Sequence, residues 1–414
     1  MRFLTVLPPR PLLKEGEQSS APEPEPWGAL AIALRSVCSH LVAALAIALL
    51  SVACRHDDVI FIPEHVDVAR PELTSVRGFF LLNEGNMGTN KATLDYYNYA
   101  SGRYTRNVFA FANPDVPKEL GDVGNDLAIY GTRLYAVVNC SNKVDVMDRM
   151  SVRKIGQVDI PNCRNIRFHG RYAYVTSYAG PVQIDENYKQ LGYVAKVDTA
   201  TLEVVDRCIV GFQPDELEIV GDRIYVANSG GYMVPNYENT LSVIDLATFR
   251  EVERVEIDIN LQCVRGDDCG VLWVSSRGDY LDTPGRLYAY DTRKRRIVAT
   301  LDVPVASMAM RGDSLYVVSS QWSEVNRTAG DVRYLIVNTA TMQVVNDGFI
   351  TDGTDDAIQR PYGIAVNPVT GDILIADARS YVTPGTLYCL NRHGTLLWQV
   401  RTGDIPAHFA FLGD

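Results

Sequence analysis

A short phrase recurs about seven times along this 414-residue chain, and a recurring phrase constrains the fold more than any single motif. One half of it reads Gly-x-x-Leu/Ile-Tyr-Val. It stands at Gly131–Tyr135, Gly221–Val226 and Gly312–Val317, with looser copies at Tyr172–Val175, Val271–Val274 and Gly371–Ile375. The other half is an apolar strand ending in an Asp or Asn turn, as at Val197–Thr201, Ile244–Thr248, Tyr290–Thr292 and Val337–Thr341. A unit of roughly 40–60 residues that cannot bury its own apolar face must stack on copies of itself. Units made only of strands predict a β-propeller.

Counting supports this. Tyr135, Tyr174, Tyr225, Trp273, Tyr316 and Leu374 follow one another at intervals of 39, 51, 48, 43 and 58 residues. Phe79, 56 residues before Tyr135, supplies a seventh copy. Each copy reads as four short strands, rich in Val and Ile and separated by Gly, Asp, Asn and Thr. No stretch after residue 76 has helical periodicity. The expected fold is all-β: a seven-bladed propeller of four-stranded blades. A pair of β-sandwiches would not explain the regular spacing. The first copy opens at Val76 on what reads as a second strand. The chain ends on Pro406–Leu412, which matches first strands such as Pro361–Val366. The C-terminal strand should therefore complete the first blade and remove two free sheet edges.

The N-terminus reads differently. Residues 1–27 are rich in Pro and Glu, and an apolar run follows at Leu41–Val52. Its length of about 12 residues is too short to span a bilayer and suits the core of a signal peptide. It ends Leu50-Ser51-Val52-Ala53-Cys54, which resembles a bacterial lipobox, with Ser51 where Leu is usual. The alternative is an ordinary secretory signal. The reading divides the chain into three parts. Residues 1–53 are a signal peptide with an extension upstream of the true start. Residues 54–75 are a lipidated Cys54 with a flexible tether, and residues 76–414 are the propeller. Arg55-His56-Asp57-Asp58 resembles the surface-export tag of Bacteroidetes lipoproteins, so an outer-membrane, surface-exposed location is expected.

The formal net charge is −11, and the first 53 residues carry equal numbers of acidic and basic side chains. Lys and Arg form no stripe, which argues against a nucleic-acid partner. Six cysteines remain after Cys38 and Cys54, none at metal-binding spacing. Cys263 and Cys269 flank a hairpin turn and are a candidate disulfide in an oxidising compartment. Cys140 with Cys163 is a second candidate pair. Cys208 and Cys389 read as buried thiols.

Alternating strand direction places the loops between second and third strands on one face, here the top, together with the inter-blade connections. Bottom turns such as Tyr130-Gly-Thr and Val220-Gly-Asp are short. Top loops are long and varied. They carry Met87, then Tyr178 and Tyr188, then Tyr232 and Tyr237. The later loops carry Arg277 and Tyr280, then Trp322, then Arg379 and Tyr381. The inter-blade connections add Asn125, Asp126, Arg164, Asn165, Asp215, Glu216, Gln262, Ser307, Tyr362 and His408 around the channel mouth. Exposed aromatics beside Asn, Asp and Arg are what a binding surface uses; the alternative is that they pack the loops on one another. Glu84, Asn139, Asn228 and Asp377 end four second strands and match the donor set of some propeller lactonases. Similar groups end every blade, so no metal site is expected. There is no Gly-x-Ser-x-Gly, no phosphate loop and no His-x-x-Cys. The expectation is a binding protein rather than an enzyme, with no cofactor.

The Leu-Tyr-Val strands and Asp-Thr-x-Thr turns resemble the bacterial surface-layer, or YVTN-type, propeller repeats over residues 76–414. With the lipoprotein start and the opening Phe-Leu-Leu-Asn-Glu-Gly-Asn at 80–86, the chain resembles the surface cobalamin-capture propellers of gut Bacteroidetes. That resemblance implies a lipoprotein that binds cobalamin and other corrinoids and delivers them to a TonB-dependent outer-membrane transporter. Its contact with the membrane would be through the lipid alone. Readings left open are another large ligand (glycan or haem), a protein partner, and a metal-dependent hydrolase of lactonase type.

Overall fold

The computed structural model describes residues 64–68, 74–116, 119–181, 183–323 and 328–413. Seven antiparallel sheets form a ring. Their innermost strands are Pro406–Gly413, Gly124–Tyr130, Cys163–His169, Pro214–Val220, Leu261–Gly266, Ser307–Arg311 and Pro361–Val366, each touching the next in cyclic order. We number the blades 1 to 7 in that order.

The recurring phrase has a physical reason. On a strand, neighbouring side chains point to opposite faces. In Leu134-Tyr135, Leu134 packs into the core shared with blade 1 and Tyr135 into the core shared with blade 3. Ile224-Tyr225 and Leu315-Tyr316 are split in the same way between their two neighbours. Each blade thus buries both faces, and seven apolar cores sit between seven blades. The same rule corrects one register. In blade 1 it is Phe79 that faces the preceding blade and Phe80 that faces the following one. Phe80, not Phe79, is the counterpart of Tyr135; a slip of one residue exchanges the two faces.

The Asp or Asn turns on the bottom face share one plan, in which the side-chain oxygen accepts an amide two or three residues on. The carboxylate of Asp198 accepts the amide of Ala200 at 2.8 Å, and Asn338 accepts that of Thr341 at 2.8 Å. The residue four places on closes the turn, as Leu202 N to Asp198 O at 2.9 Å and Met342 N to Asn338 O at 2.8 Å. That closing residue is left-handed, with φ of 62° at Leu202 and 57° at Met342. Short polar side chains that hydrogen-bond their own turn are the reason Asp and Asn recur there.

Closure occurs as expected: Pro406–Gly413 pairs antiparallel with Val76–Asn83 in blade 1. Two features were not anticipated. Within the segment read as a tether, His65–Asp67 forms a fifth strand on the outer edge of blade 1, paired to Arg103–Thr105. It is fastened by the Arg103–Asp67 ion pair at 2.9 Å, by Arg106 on Glu64, and by His65 Nδ1 with Thr105 Oγ1 at 2.9 Å. A five-residue helix, Val108–Ala112, also interrupts the passage from blade 1 to blade 2. Residues 1–53 and Cys54 lie outside the described residues. Among the described residues no helix is long and apolar enough to cross a membrane.

Candidate functional site

The inner strands enclose a channel of about 710 Å³. Its wall is divided. Blades 2 to 5 contribute Asp126, Arg164, Arg167, Asp215, Glu216, Arg265 and Arg277, whereas blades 6, 7 and 1 contribute Met308, Met310, Ile364, Val366, Phe409 and Phe411. Below the mouth a charged side therefore faces a more apolar one, while Glu84, Tyr362 and His408 bring polar groups to the mouth on the blade 7 and 1 side.

At the top of the charged half, Asp215 is the hub. It receives Arg277 Nη1 at 3.0 Å, Arg164 Nε at 3.2 Å and the Tyr178 hydroxyl at 2.6 Å. The Arg164 guanidinium lies over the Tyr178 ring, 4.8 Å from its centroid. Burial opposes the Asp215 charge, but Arg277 and Arg164 outweigh it and hold the carboxyl below its usual range. Burial and the Asp215 charge push the Tyr178 hydroxyl well up, against Arg164. Deeper in the channel, Arg265 pairs with Glu216, and Arg167 reaches Asp126 at 3.2 Å and Glu218 at 3.6 Å. Burial would raise the Glu216 pKa, but the two arginines lower it. These pairs lock the inner ends of blades 2 to 5 in register.

Across the mouth, Glu84 accepts the Tyr362 hydroxyl at 2.9 Å and pairs with His408 Nε2 at 3.0 Å. The Glu84 charge, then burial, lifts the Tyr362 hydroxyl far above the ordinary tyrosine value. Burial works against a charged His408, yet the hydrogen bond to Glu84 wins and raises its pKa. Tyr381 meets Tyr362 edge-on at 5.9 Å and carries Arg360 over its ring at 5.4 Å. Asn86 bonds the Tyr381 carbonyl, which ties the blade 1 and blade 7 loops together.

The structure sorts the anticipated residues. Arg277, Tyr362 and His408 line the channel. Tyr232 and Tyr381 remain exposed at 41% and 37%, and Met87 at 77%. Arg379 is exposed, and its backbone amide donates to Asp377. Trp322 opens a two-residue strand paired to Thr328–Ala329. Three tyrosines are partly spent on loop packing: Tyr188 rests on Phe212, Tyr237 reaches the Asp279 carbonyl, and Tyr280 is half-buried with φ of 63°. Tyr178 is a correction. It is 3% exposed and supports Arg164 from behind instead of facing outward. The cluster around Asp215 was not anticipated as a unit, because its members come from three blades and share no local pattern.

The four possible metal donors are not assembled. Asn139 donates to the Cys163 carbonyl at 2.9 Å, and Asn228 to Thr240 and Ser242 at 3.1 and 2.9 Å. Asp377 accepts the amides of Arg360 and Arg379, both at 2.8 Å, and Glu84 is engaged as above. Their common role is to tie a strand end to neighbouring backbone and loop groups. The two candidate disulfides are also corrected, since all six cysteines among the described residues are free thiols. Cys263 is buried high on its strand and Cys269 is exposed in the turn below. Four residues of strand at about 3.3 Å each separate Cys263 from Asp267, where that turn begins, whereas bridged Cα atoms lie within about 7 Å. The Cys163 thiol points to the Val138 and Lys143 carbonyls, and the Cys140 thiol to Asn139.

The bottom face is not featureless. A hollow of about 640 Å³ lies between blades 4 and 5, bordered by Asp222, Arg223, Cys269, Arg293 and Arg295.

Fold and mouth together define a seven-bladed propeller with a divided central channel under long, aromatic-bearing loops. Residues 77–395 match the family described as "Domain of unknown function (DUF5074)", and the chain belongs to that family. No curated protein matches the sequence. Among solved structures, a chain of Kuenenia stuttgartiensis hydrazine synthase superposes with a TM-score of 0.51 at 16% identity, spanning 69% of this chain and 88% of that one. The likeness is one of fold.

Proposed function

We propose that this chain is a surface lipoprotein whose top face captures a corrinoid and passes it to a TonB-dependent outer-membrane transporter. The observation that carries this reading is the channel mouth, ringed by Arg164, Asp215 and Arg277 on one side and Glu84, Tyr362 and His408 on the other, beneath loops bearing the exposed Tyr232 and Tyr381 and the half-buried Tyr280. A corrinoid is broad, amphipathic and rimmed with amides, and it suits a concave face of mixed polarity. The titratable groups at the mouth are tied into ion pairs and hydrogen bonds, an arrangement that holds shape and binds without chemistry on the ligand. The fifth strand adds support. His65 pairs with Thr105 and Asp67 with Arg103, so the strand is entered from the top-face side. Ten positions separate Cys54 from Glu64, and such a length reaches about 35 Å at most. A lipid on Cys54 would keep the binding face close to the membrane.

Calorimetric titration with cyanocobalamin tests the reading. Truncating a central aromatic in a binding site weakens binding by about 2 kcal/mol, roughly thirtyfold. At least two of Tyr232→Ala, Tyr280→Ala, Trp322→Ala and Tyr381→Ala should show such a loss, and Thr199→Ala on the bottom face none. Absence of any corrinoid binding by the wild type would overturn the ligand. Four unaffected variants would overturn the face.

A further inference from the structure

We propose that Arg164 and Arg277 form an anion subsite at the channel mouth that takes a phosphate group. The inference rests on the top face being the binding face, and not on the ligand being a corrinoid. Arginine carries five N–H donors in a rigid fork. Arg277 directs one nitrogen at Asp215 and Arg164 two, with Tyr280 beside Arg277 and the Tyr178 ring under Arg164, and the hydrogen bonds to Asp215 leave other N–H groups of both guanidinium forks over. Their side chains are only 25% and 22% exposed, so the remaining donors face the channel that both residues line. The count of free donors exceeds the roughly four lone-pair sites of a carboxylate and suits the extra oxygens of a phosphate.

Charge points the same way. Arg164, Arg277 and Asp215 sum to one net positive charge. The deeper groups Arg167, Arg265, Asp126, Glu216 and Glu218 sum to one net negative charge. The excess positive charge therefore sits on the blade 3 to 5 side of the entrance, and Asp215 holds both forks in place. Glu84 on the opposite rim repels an anion and leaves the blade 3 to 5 side as the favoured position.

Titration of the full chain with inorganic phosphate and pyrophosphate, followed by calorimetry, tests the subsite directly. Saturable binding is expected, weakened at least tenfold by Arg277→Gln and by Arg164→Gln, partly restored by Arg277→Lys, and unchanged by Arg333→Gln on the third strand of blade 6. If Arg277→Gln folds poorly because Asp215 loses its partner, the double change Arg277→Gln with Asp215→Asn keeps the cluster's net charge at one positive and should show the same loss. No saturable binding, or equal affinity in the arginine variants, overturns the proposal. A second arm compares cyanocobalamin, whose nucleotide arm carries a phosphodiester, with cobinamide, which lacks it. Arg277→Gln should weaken the first at least tenfold more than the second. Equal weakening of both would overturn the phosphate role while leaving corrinoid capture intact. If neither corrinoid binds the wild type, the ligand reading falls and the phosphate titration alone decides the subsite.

Discussion

Asn228 shows how a residue at a strand end can be mistaken for a metal donor. It has no exposed surface, its amide nitrogen bonds Thr240 and Ser242, and its oxygen accepts the Gly211 amide at 3.1 Å. Asn228→Ala would take the partner from the Gly211 amide and the Ser242 hydroxyl, while Thr240 keeps Glu238, and each unsatisfied group costs about 1–3 kcal/mol. Chemical denaturation should show a loss of about 2 kcal/mol or more; an unchanged midpoint would overturn this structural role. His408 makes a different kind of prediction. Its pKa is raised in the folded state by Glu84. The unfolded value is near 6.5. The stability it contributes is complete below about pH 6.5 and is lost as pH rises through the folded value. Melting curves of the wild type and His408→Gln should differ most in mild acid and converge towards alkaline pH. A gap that widened with pH would reverse the assignment. Single residues were only partly legible in advance. Arg277, Tyr362 and His408 could be placed at the mouth from strand direction alone. The inward turn of Tyr178 could not, because it depends on Arg164 and Asp215, which are distant in sequence and meet only through the ring.

Elements were more legible, because their signals are local. Every Gly-x-x-Leu-Tyr-Val phrase is a second strand, and every Asp or Asn turn joins a third strand to a fourth. Two-faced burial makes the apolar pattern strong, and the side-chain-to-backbone bond in the turn leaves a residue signature. Blade 1 is where the reading slipped by one residue, since Phe79-Phe80-Leu81-Leu82 is apolar at every position and does not mark which face is which. The fifth strand had no signature at all. Three residues, His65-Val66-Asp67, carry too little pattern, and their pairing is secured by Arg103 and Arg106, some 40 positions away. Val66→Pro tests that strand. Proline has no amide hydrogen and disrupts an edge ladder. Amides 64–68 should lose protection in hydrogen exchange, while global stability falls by about 1 kcal/mol or less. A large global loss would mean that the strand is part of the ring's core and not an attachment to it.

At the scale of the whole molecule, the ring depends on one seam. Phe79 has no exposed surface and sits among the rings of Tyr97, Tyr99, Phe409 and Phe411 at 5.3, 6.2, 6.0 and 6.1 Å. Tyr97 in turn meets Trp398 of blade 7 at 4.9 Å. The last strand of the chain, the second strand of the first blade and the outer strand of the seventh are thus joined in one aromatic core. Closure was legible from composition, because a chain that begins on a second strand and ends on a first has only one way to bury both edges. The cost of opening it can be argued at two strengths. Phe79→Ala leaves a cavity in the seam and should cost about 3–5 kcal/mol, the usual range for a buried Phe. Removing residues 405–414 is more severe. It exposes the backbone edge of Val76–Asn83, strips the inner wall from blade 1, and uncovers the blade 1–2 core that Ala410 and Leu412 help to fill and the 7–1 core on which Phe409 and Phe411 pack. A loss beyond about 4 kcal/mol is expected, a size confined to core or edge disruption. The truncated chain should also self-associate, because an uncovered strand recruits another. Sedimentation and denaturant unfolding of the two variants give the answer. If the truncated chain remains monomeric and as stable as the intact one, the ring is held by inter-blade cores alone and the closing strand is dispensable.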